Sequence, residues 1–138
     1  MNFHSLRFKG VEKYDSIPDE AIVDLIEPSF KPLTKMWVVK VKLDIPYGRK
    51  KPNTFIPFTA KNQKRSMNIY RILKAKKGRA DISRKIAELQ RNKKWNHQMR
   101  QKIEEIGMVN QSRYENAKVV LKQTDTNRFQ KFWAKVNH

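Results

Sequence analysis

Cysteine is absent from this chain of 138 residues, and glycine is scarce, with four isolated residues. Without cysteine there is no disulfide, no thiolate nucleophile and no common zinc-finger ligand set. The isolated glycines form no Gly-rich loop of the kind that cradles phosphate groups. No apolar run approaches the roughly 18 residues that a membrane-spanning helix needs. We therefore expect no cofactor, no metal site and no membrane span.

The side chains that could support catalysis form no recognisable set. The three histidines, His4, His97 and His138, lie far apart in the sequence, and no carboxylate cluster accompanies them. Glu104 and Glu105 are adjacent, and adjacent residues of a helix do not share a face. We therefore expect a protein that is not an enzyme and that takes no small-molecule substrate.

Acidic residues are missing from residues 45–79, which hold eleven of the 31 lysines and arginines of the chain. The formal net charge is +18. A merely solvated surface usually mixes charges of both signs, so this segregated basic stretch favours a polyanionic partner. With two lysines further along the chain, the bases that we expect to contact phosphates are Arg49, Lys50, Lys51, Lys61, Lys64, Arg65, Arg71, Lys74, Lys76, Lys77, Arg79, Lys93 and Lys94.

The first half of the chain predicts a β-hairpin. Residues 21–27 read as one strand that Pro28 ends, and residues 35–43 read as the second strand. In the second strand Val39, Val41 and Leu43 alternate with two lysines, which places the apolar side chains on one face. Three prolines between residues 46 and 57 then predict an extended arm that reaches Phe58.

The second half predicts helices. Thr59 is expected to cap a helix over residues 60–77 that Gly78 ends. A longer helix is expected from residue 80 or 81 to residue 106, with Gly107 at its end.

The tail predicts two short helices, with a break at residues 124–127. The last of them carries three aromatic residues that either close the core or anchor a protein neighbour: Phe129, Phe132 and Trp133.

The predicted fold class is therefore α+β: an N-terminal β-hairpin with an extended Pro-containing arm, followed by about four helices in a small, elongated helical region. The hairpin and arm take up residues 1–58, and the helical region takes up residues 59–138. A chain of this length is expected to form one continuous small domain with no independent second domain.

Among polyanions, structured RNA fits this pattern best. A helix that lies on a membrane needs a broad apolar face, whereas residues 60–77 show a narrow apolar stripe. Neither a basic zipper nor a zinc finger is present to read DNA. Extended Pro-containing segments and basic helices around a small core are suited to RNA, whose shape and phosphates are read. Tyr47 lies among the bases and either stacks on an unpaired base or packs into the core.

Residues 16–58 also resemble a known family. Ser16-Ile17-Pro18-Asp19-Glu20 precedes the first predicted strand, and Asp44-Ile45-Pro46-Tyr47 with Lys51-Pro52 follows the second. In this order and spacing the chain resembles the family of mitochondrial large-subunit ribosomal protein forty-two, with Lys51-Pro52 displaced by one residue. That family usually has an acid and a histidine where this chain has Gly48 and Arg49. The resemblance implies a structural, non-catalytic protein of the large mitochondrial ribosomal subunit.

The expected function is that of a structural, rRNA-binding constituent of the ribosome, in the mitochondrial matrix. Its expected partners are ribosomal RNA and neighbouring ribosomal proteins. The alternatives are a non-catalytic accessory subunit of another mitochondrial assembly, such as a respiratory complex, and a free RNA-processing factor. Residues 1–11 hold two bases and no acid, and they read either as a faint mitochondrial targeting peptide or as an extended arm.

Overall fold

Three antiparallel β-strands and two long α-helices make up most of the fold, which belongs to the α+β class. A computed structural model describes the backbone of residues 10–136 and the side chains of residues 10–125. In chain order the elements are the short helix α1 (Glu12–Asp15), a 3-10 turn (Asp19–Ala21), the strands β1 (Ile22–Lys31), β2 (Met36–Leu43) and β3 (Phe55–Ala60), and the helices α2 (Gln63–Arg91) and α3 (His97–Val136).

Two of the sequence predictions lie outside the described residues. One is the choice between a targeting peptide and an arm for the N-terminus, since the description begins at residue 10. The other is the role of the three aromatic side chains Phe129, Phe132 and Trp133.

The middle strand, β2, shows the alternation that the sequence predicts. Val39 and Val41 are fully buried on one face, and Lys40 and Lys42 lie half-buried on the other. β1 and β3 flank β2 on either side, with Val41 opposite both Leu25 and Ile56. The apolar face of the sheet therefore extends across all three strands. Three fully buried residues of α2 belong to the same core cluster: Ile69, Ile72 and Leu73.

The prediction of an extended arm up to Phe58 is wrong at its end, because residues 55–60 form the third strand, β3. Pro57 does not prevent this, because β3 is an edge strand and proline is tolerated at a sheet edge. Pro28 likewise does not end the first strand: β1 continues to Lys31, with an irregular register between Ile26 and Ser29. A bulge of this kind lets an edge strand absorb a residue that cannot join the ladder.

The prediction of about four helices is also wrong, because within residues 10–136 there are three α-helices and two of them are long. The helix predicted over residues 60–77 is the first part of α2, which runs through Gly78 to Arg91. Its cap is Asn62 rather than Thr59, since the Asn62 side chain accepts a 2.8 Å hydrogen bond from the Arg65 amide.

The second predicted long helix, over residues 80–106, is divided between two helices, because its first part, to Arg91, belongs to α2 and its last part, from His97, begins α3. The two predicted tail helices are also part of α3, which continues through Gly107 and through residues 124–127. A loop of five residues, 92–96, joins α2 to α3, and Asn96 caps α3 by accepting a 2.9 Å hydrogen bond from the Met99 amide. The pair is antiparallel: Ile82 and Ile106 line one groove, and Arg65 pairs with Asp125 near the other end of the interface.

Gly78 is a point of close approach between the two long helices, not a helix end. A Cβ atom at this position would lie 2.9 Å from the Asn110 Oδ1 atom of α3. The Asn110 side chain is held in place because its Nδ2 atom donates a 2.8 Å hydrogen bond to the Ala75 carbonyl of α2. Glycine is therefore retained inside α2 by packing against a neighbouring helix, in spite of its low helix propensity.

This contact predicts that the effect of Gly78→Ala depends on Asn110. Alanine favours a helix interior by about 1 kcal/mol over glycine. In the natural chain that gain should be offset by the loss of the Asn110 hydrogen bond, which contributes about 0.5–1.5 kcal/mol. With Asn110→Ala in place, Gly78→Ala should raise the free energy of unfolding by about 1 kcal/mol. Urea unfolding of the two single variants, the double variant and the natural chain measures this coupling.

Gly107→Ala is the matched control, because a Cβ atom there meets nothing within 4 Å. We expect it to stabilise the natural chain by about 1 kcal/mol. Equal stabilisation by Gly78→Ala and Gly107→Ala in the natural chain would contradict the packing explanation.

Candidate nucleic-acid interface

Acids from outside the basic stretch pair with four of the thirteen bases that the sequence predicts to contact phosphates. Lys76 and Arg79 both pair with Asp19 of the 3-10 turn. Arg65 pairs with Asp125 of α3 at 2.9 Å, and Lys77 pairs with Asp81 one turn further along α2 at 3.0 Å. The fold therefore uses these four cations to hold itself together. They are poorer candidates for phosphate contacts than the other bases, because each already has an acidic partner.

Asp19 is the centre of the most buried of these ion pairs. Its carboxylate accepts hydrogen bonds from Arg79 Nε at 2.9 Å and Arg79 Nη2 at 3.0 Å, and Lys76 Nζ lies 3.1 Å away. The Lys76 side chain is only 4% exposed and also donates a 2.7 Å hydrogen bond to the Asp15 carbonyl. Burial alone would lower the pKa of Arg79, but the hydrogen bonds and charge of Asp19 raise it above its ordinary value.

A second charged cluster joins α1 to α3 next to this site. Asp15 accepts a hydrogen bond from the Tyr114 hydroxyl and lies 3.1 Å from Lys118 Nζ. Burial by itself raises the pKa of Asp15, but the hydrogen bonds and the positive charges around it outweigh burial and lower that pKa. The Arg79 guanidinium lies 4.5 Å from the centre of the Tyr114 ring, so the two clusters are continuous.

The other nine predicted bases are exposed, and none has an acidic partner among the side chains of residues 10–125. Unpaired cations of this kind can contact phosphates without breaking the fold. They are Arg49, Lys50, Lys51, Lys61, Lys64, Arg71, Lys74, Lys93 and Lys94.

The exposed bases lie at separate places along the fold. Arg49, Lys50 and Lys51 follow β2, at the end of the sheet where β3 begins. Lys61 follows β3, at the opposite end, because Ala60 pairs with Trp37 near the start of β2. A strand of six residues spans roughly 20 Å, so these two groups are too far apart to share one phosphate. Arg71 and Lys74 lie on α2, and Lys93 and Lys94 lie in the loop that follows it.

Tyr47 packs into the core. Of the two roles that the sequence leaves open, core packing and stacking on an unpaired base, the structure therefore has the first. The residue is 7% exposed, and its ring packs edge-on against Phe58 with the ring centres 5.8 Å apart. Burial raises the pKa of Tyr47 to about 12. Beside it, the backbone amides of Tyr47 and Lys50 each donate to the other residue's carbonyl, which shapes the turn that exposes Arg49 and Lys50.

Several exposed residues that could join such an interface are missing from the sequence prediction. Lys31 and Lys35 flank the β1–β2 turn, where Leu33 is 100% exposed and Phe30 is 48% exposed. Arg113 of α3 lies beside Arg71 and Lys74. A search for acid-free stretches misses Arg113, because Glu104, Glu105 and Glu115 surround it in the sequence. Only the pairing of α3 with α2 brings it to the basic residues.

Other kinds of site are not found in the part of the chain that the structure describes. No group of three or more His, Cys, Asp or Glu side chains there could hold a metal ion. None of the described helices is both long enough and apolar enough to cross a membrane. Comparison of the chain with protein-family models, with curated proteins and with solved structures gives no match.

Proposed function

We propose that this protein is a structural, RNA-binding constituent of a ribonucleoprotein and that it catalyses no reaction. The observation that carries this proposal is the set of nine exposed cations without an acidic partner in residues 10–125. Internal acids pair with the other four predicted bases, so the remaining nine are available for phosphates. Contacts of this kind give affinity and position rather than sequence readout.

We infer further that the ribonucleoprotein is the large subunit of the mitochondrial ribosome. The resemblance of residues 16–58 to a family of that subunit supports this assignment. In the fold the resembling residues are structural: the Asp44 amide donates a 3.0 Å hydrogen bond to the Ala21 carbonyl, and Tyr47 is buried. They hold the base of the loop that presents Arg49, Lys50 and Lys51. The proposed partners are ribosomal RNA and neighbouring ribosomal proteins, in the mitochondrial matrix.

Gradient sedimentation of a mitochondrial lysate tests this assignment with the full chain carrying an epitope tag. We expect the protein to sediment with the large ribosomal subunit at low salt and to be released at high salt, because phosphate contacts weaken as salt rises. Sedimentation with inner-membrane complexes would instead assign it to another mitochondrial assembly. Sedimentation as a free protein at low salt would contradict the ribosomal assignment altogether.

A further inference from the structure

The seam between α2 and α3 opens into a pocket of about 260 Å³. Met67, Tyr70 and Ala75 form its apolar wall, and the Tyr70 side chain is half-buried against the core. Arg71 and Lys74 of α2 and Arg113 of α3 line the same pocket. None of its lining residues is acidic. The pocket therefore combines an aromatic side chain with three positive charges.

The three cations are free to bind a ligand. All three side chains are exposed, and none forms an ion pair with the carboxylates of residues 10–125. The Lys74 ammonium lies 5.7 Å from the centre of the Tyr70 ring, so a positive charge is already held beside the aromatic group. A ligand with a phosphate and a flat ring matches both features, because guanidinium groups bind phosphate and aromatic faces stack on bases.

On the other side of Arg113 the seam is lined by apolar and acidic residues instead of basic ones. There a groove of about 460 Å³ is lined by apolar residues, among them Ile82, Ile106 and Val109, and by the acids Asp81 and Glu105. Asp81 is paired with Lys77 and Arg84, but Glu105 has no cationic partner among the side chains of residues 10–125 and repels a phosphate group. A phosphate-bearing ligand therefore favours the Tyr70 end of the seam, where three cations have no acidic partner, with Arg113 at the boundary.

We propose that the Tyr70 pocket binds one unpaired nucleotide of an RNA strand. The base lies against Tyr70 and Met67, and the flanking phosphates contact Arg71, Lys74 and Arg113. The nucleotide is unpaired because a base within a duplex is stacked on both faces and cannot reach an aromatic side chain. This inference rests on the proposed RNA-binding function and adds a defined contact to it. It also gives Arg113 a role that the charge pattern of the sequence does not reveal.

Affinity for a short single-stranded RNA tests the pocket in the full-length protein. At 0.1 M salt Arg113→Gln should lower affinity about fivefold, the effect of one lost phosphate contact. Arg100→Gln is the matched control, since Arg100 is an exposed arginine of α3 that already pairs with Glu104 at 2.9 Å and does not line the pocket. It should change affinity less than twofold. Tyr70→Leu should lower affinity about tenfold through loss of stacking, whereas Tyr70→Phe, which keeps the ring, should retain it.

Photo-crosslinking of the same RNA, carrying 5-iodouridine, gives an independent readout. We expect a crosslink that maps to Tyr70, is weakened by Arg113→Gln and is unchanged by Arg100→Gln. RNA binding without a crosslink at Tyr70, and with equal effects of the two arginine variants, would overturn the pocket and leave the RNA-binding function standing. Failure to bind RNA at any salt concentration would instead overturn that function. Binding of a polyglutamate peptide that Arg113→Gln abolishes, with no crosslink, would assign the pocket to an acidic protein segment and would also overturn the proposal.

Discussion

Replacing Asp19 by Asn is expected to lower the free energy of unfolding by about 2–3 kcal/mol, because it removes the ion-pair partner of the buried Lys76 ammonium. Lys76 would keep its hydrogen bond to the Asp15 carbonyl and its attraction to the Asp15 carboxylate, and Arg79 would lose a bidentate partner. The expected loss is smaller than the about 3–5 kcal/mol of a fully buried pair, because Asp19 is 26% exposed. Urea unfolding measures it.

Two further variants identify the buried charge as the cause. Asp24→Asn removes the same charge from an exposed aspartate whose carboxylate accepts a hydrogen bond from the Leu25 amide, and it should change stability by less than about 0.5 kcal/mol. Adding Lys76→Met to Asp19→Asn removes the stranded ammonium and should recover much of the lost stability. If the double variant is no more stable than Asp19→Asn alone, the penalty does not come from Lys76.

Replacing Arg49, Lys50 and Lys51 together by Gln is expected to weaken binding to an RNA stem–loop about 100-fold at 0.1 M salt. Each lost phosphate contact reduces the slope of log affinity against log salt by about 0.7–0.9, so three contacts reduce it by about 2–3. The loop itself should keep its shape, because Tyr47 is buried and the Tyr47–Lys50 hydrogen bonds join backbone atoms. Affinities measured across a range of salt concentrations give the slope directly.

Lys74→Met and Lys76→Met form a matched pair of controls for that experiment. The two lysines are two positions apart on α2, but the first is exposed and the second is buried against Asp19. Lys74→Met should flatten the salt slope by about 0.7–0.9, and Lys76→Met should leave it unchanged. Equal slopes for the natural chain and the triple variant would mean that the exposed loop is merely solvated.

The local patterns that predict the fold correctly are those that depend on neighbouring residues alone. The alternation around Val39 and Val41 places the core face of β2, and the α+β class follows from a strand region before a helical one. The predictions fail where a residue that is distant in sequence determines the local structure. Gly78 reads as a helix end, but Asn110, 32 residues later, occupies the space that a side chain at position 78 would need. Pro57 predicts an extended arm, but the pairing of residues 55–60 with β2 makes it part of an edge strand.

The sequence also predicts only part of the candidate site, namely the basic stretch and not the burial or pairing of its members. Composition identifies a basic stretch, but it cannot separate Lys74 from Lys76, because burial depends on where Asp19 lies in space. The acids of the N-terminal segment and of α3 are far from the basic stretch in sequence and next to it in the fold. Arg113 shows the reverse case, since it lies among acids in sequence and among bases in space.

The two long helices also determine how far this small chain can reach. At 1.5 Å per residue, the 40 residues of α3 extend about 60 Å along the helix axis. That length is about twice the diameter of a small domain. A protein with such a helix can touch parts of a large assembly that a rounded domain of equal mass cannot connect. Among the side chains of residues 10–125, the core residues of α3 are Tyr114, Ala117 and Leu121, so residues 97–113 are the part of the helix that can reach beyond the core, and shortening the α2–α3 hairpin at that end should leave the sheet intact.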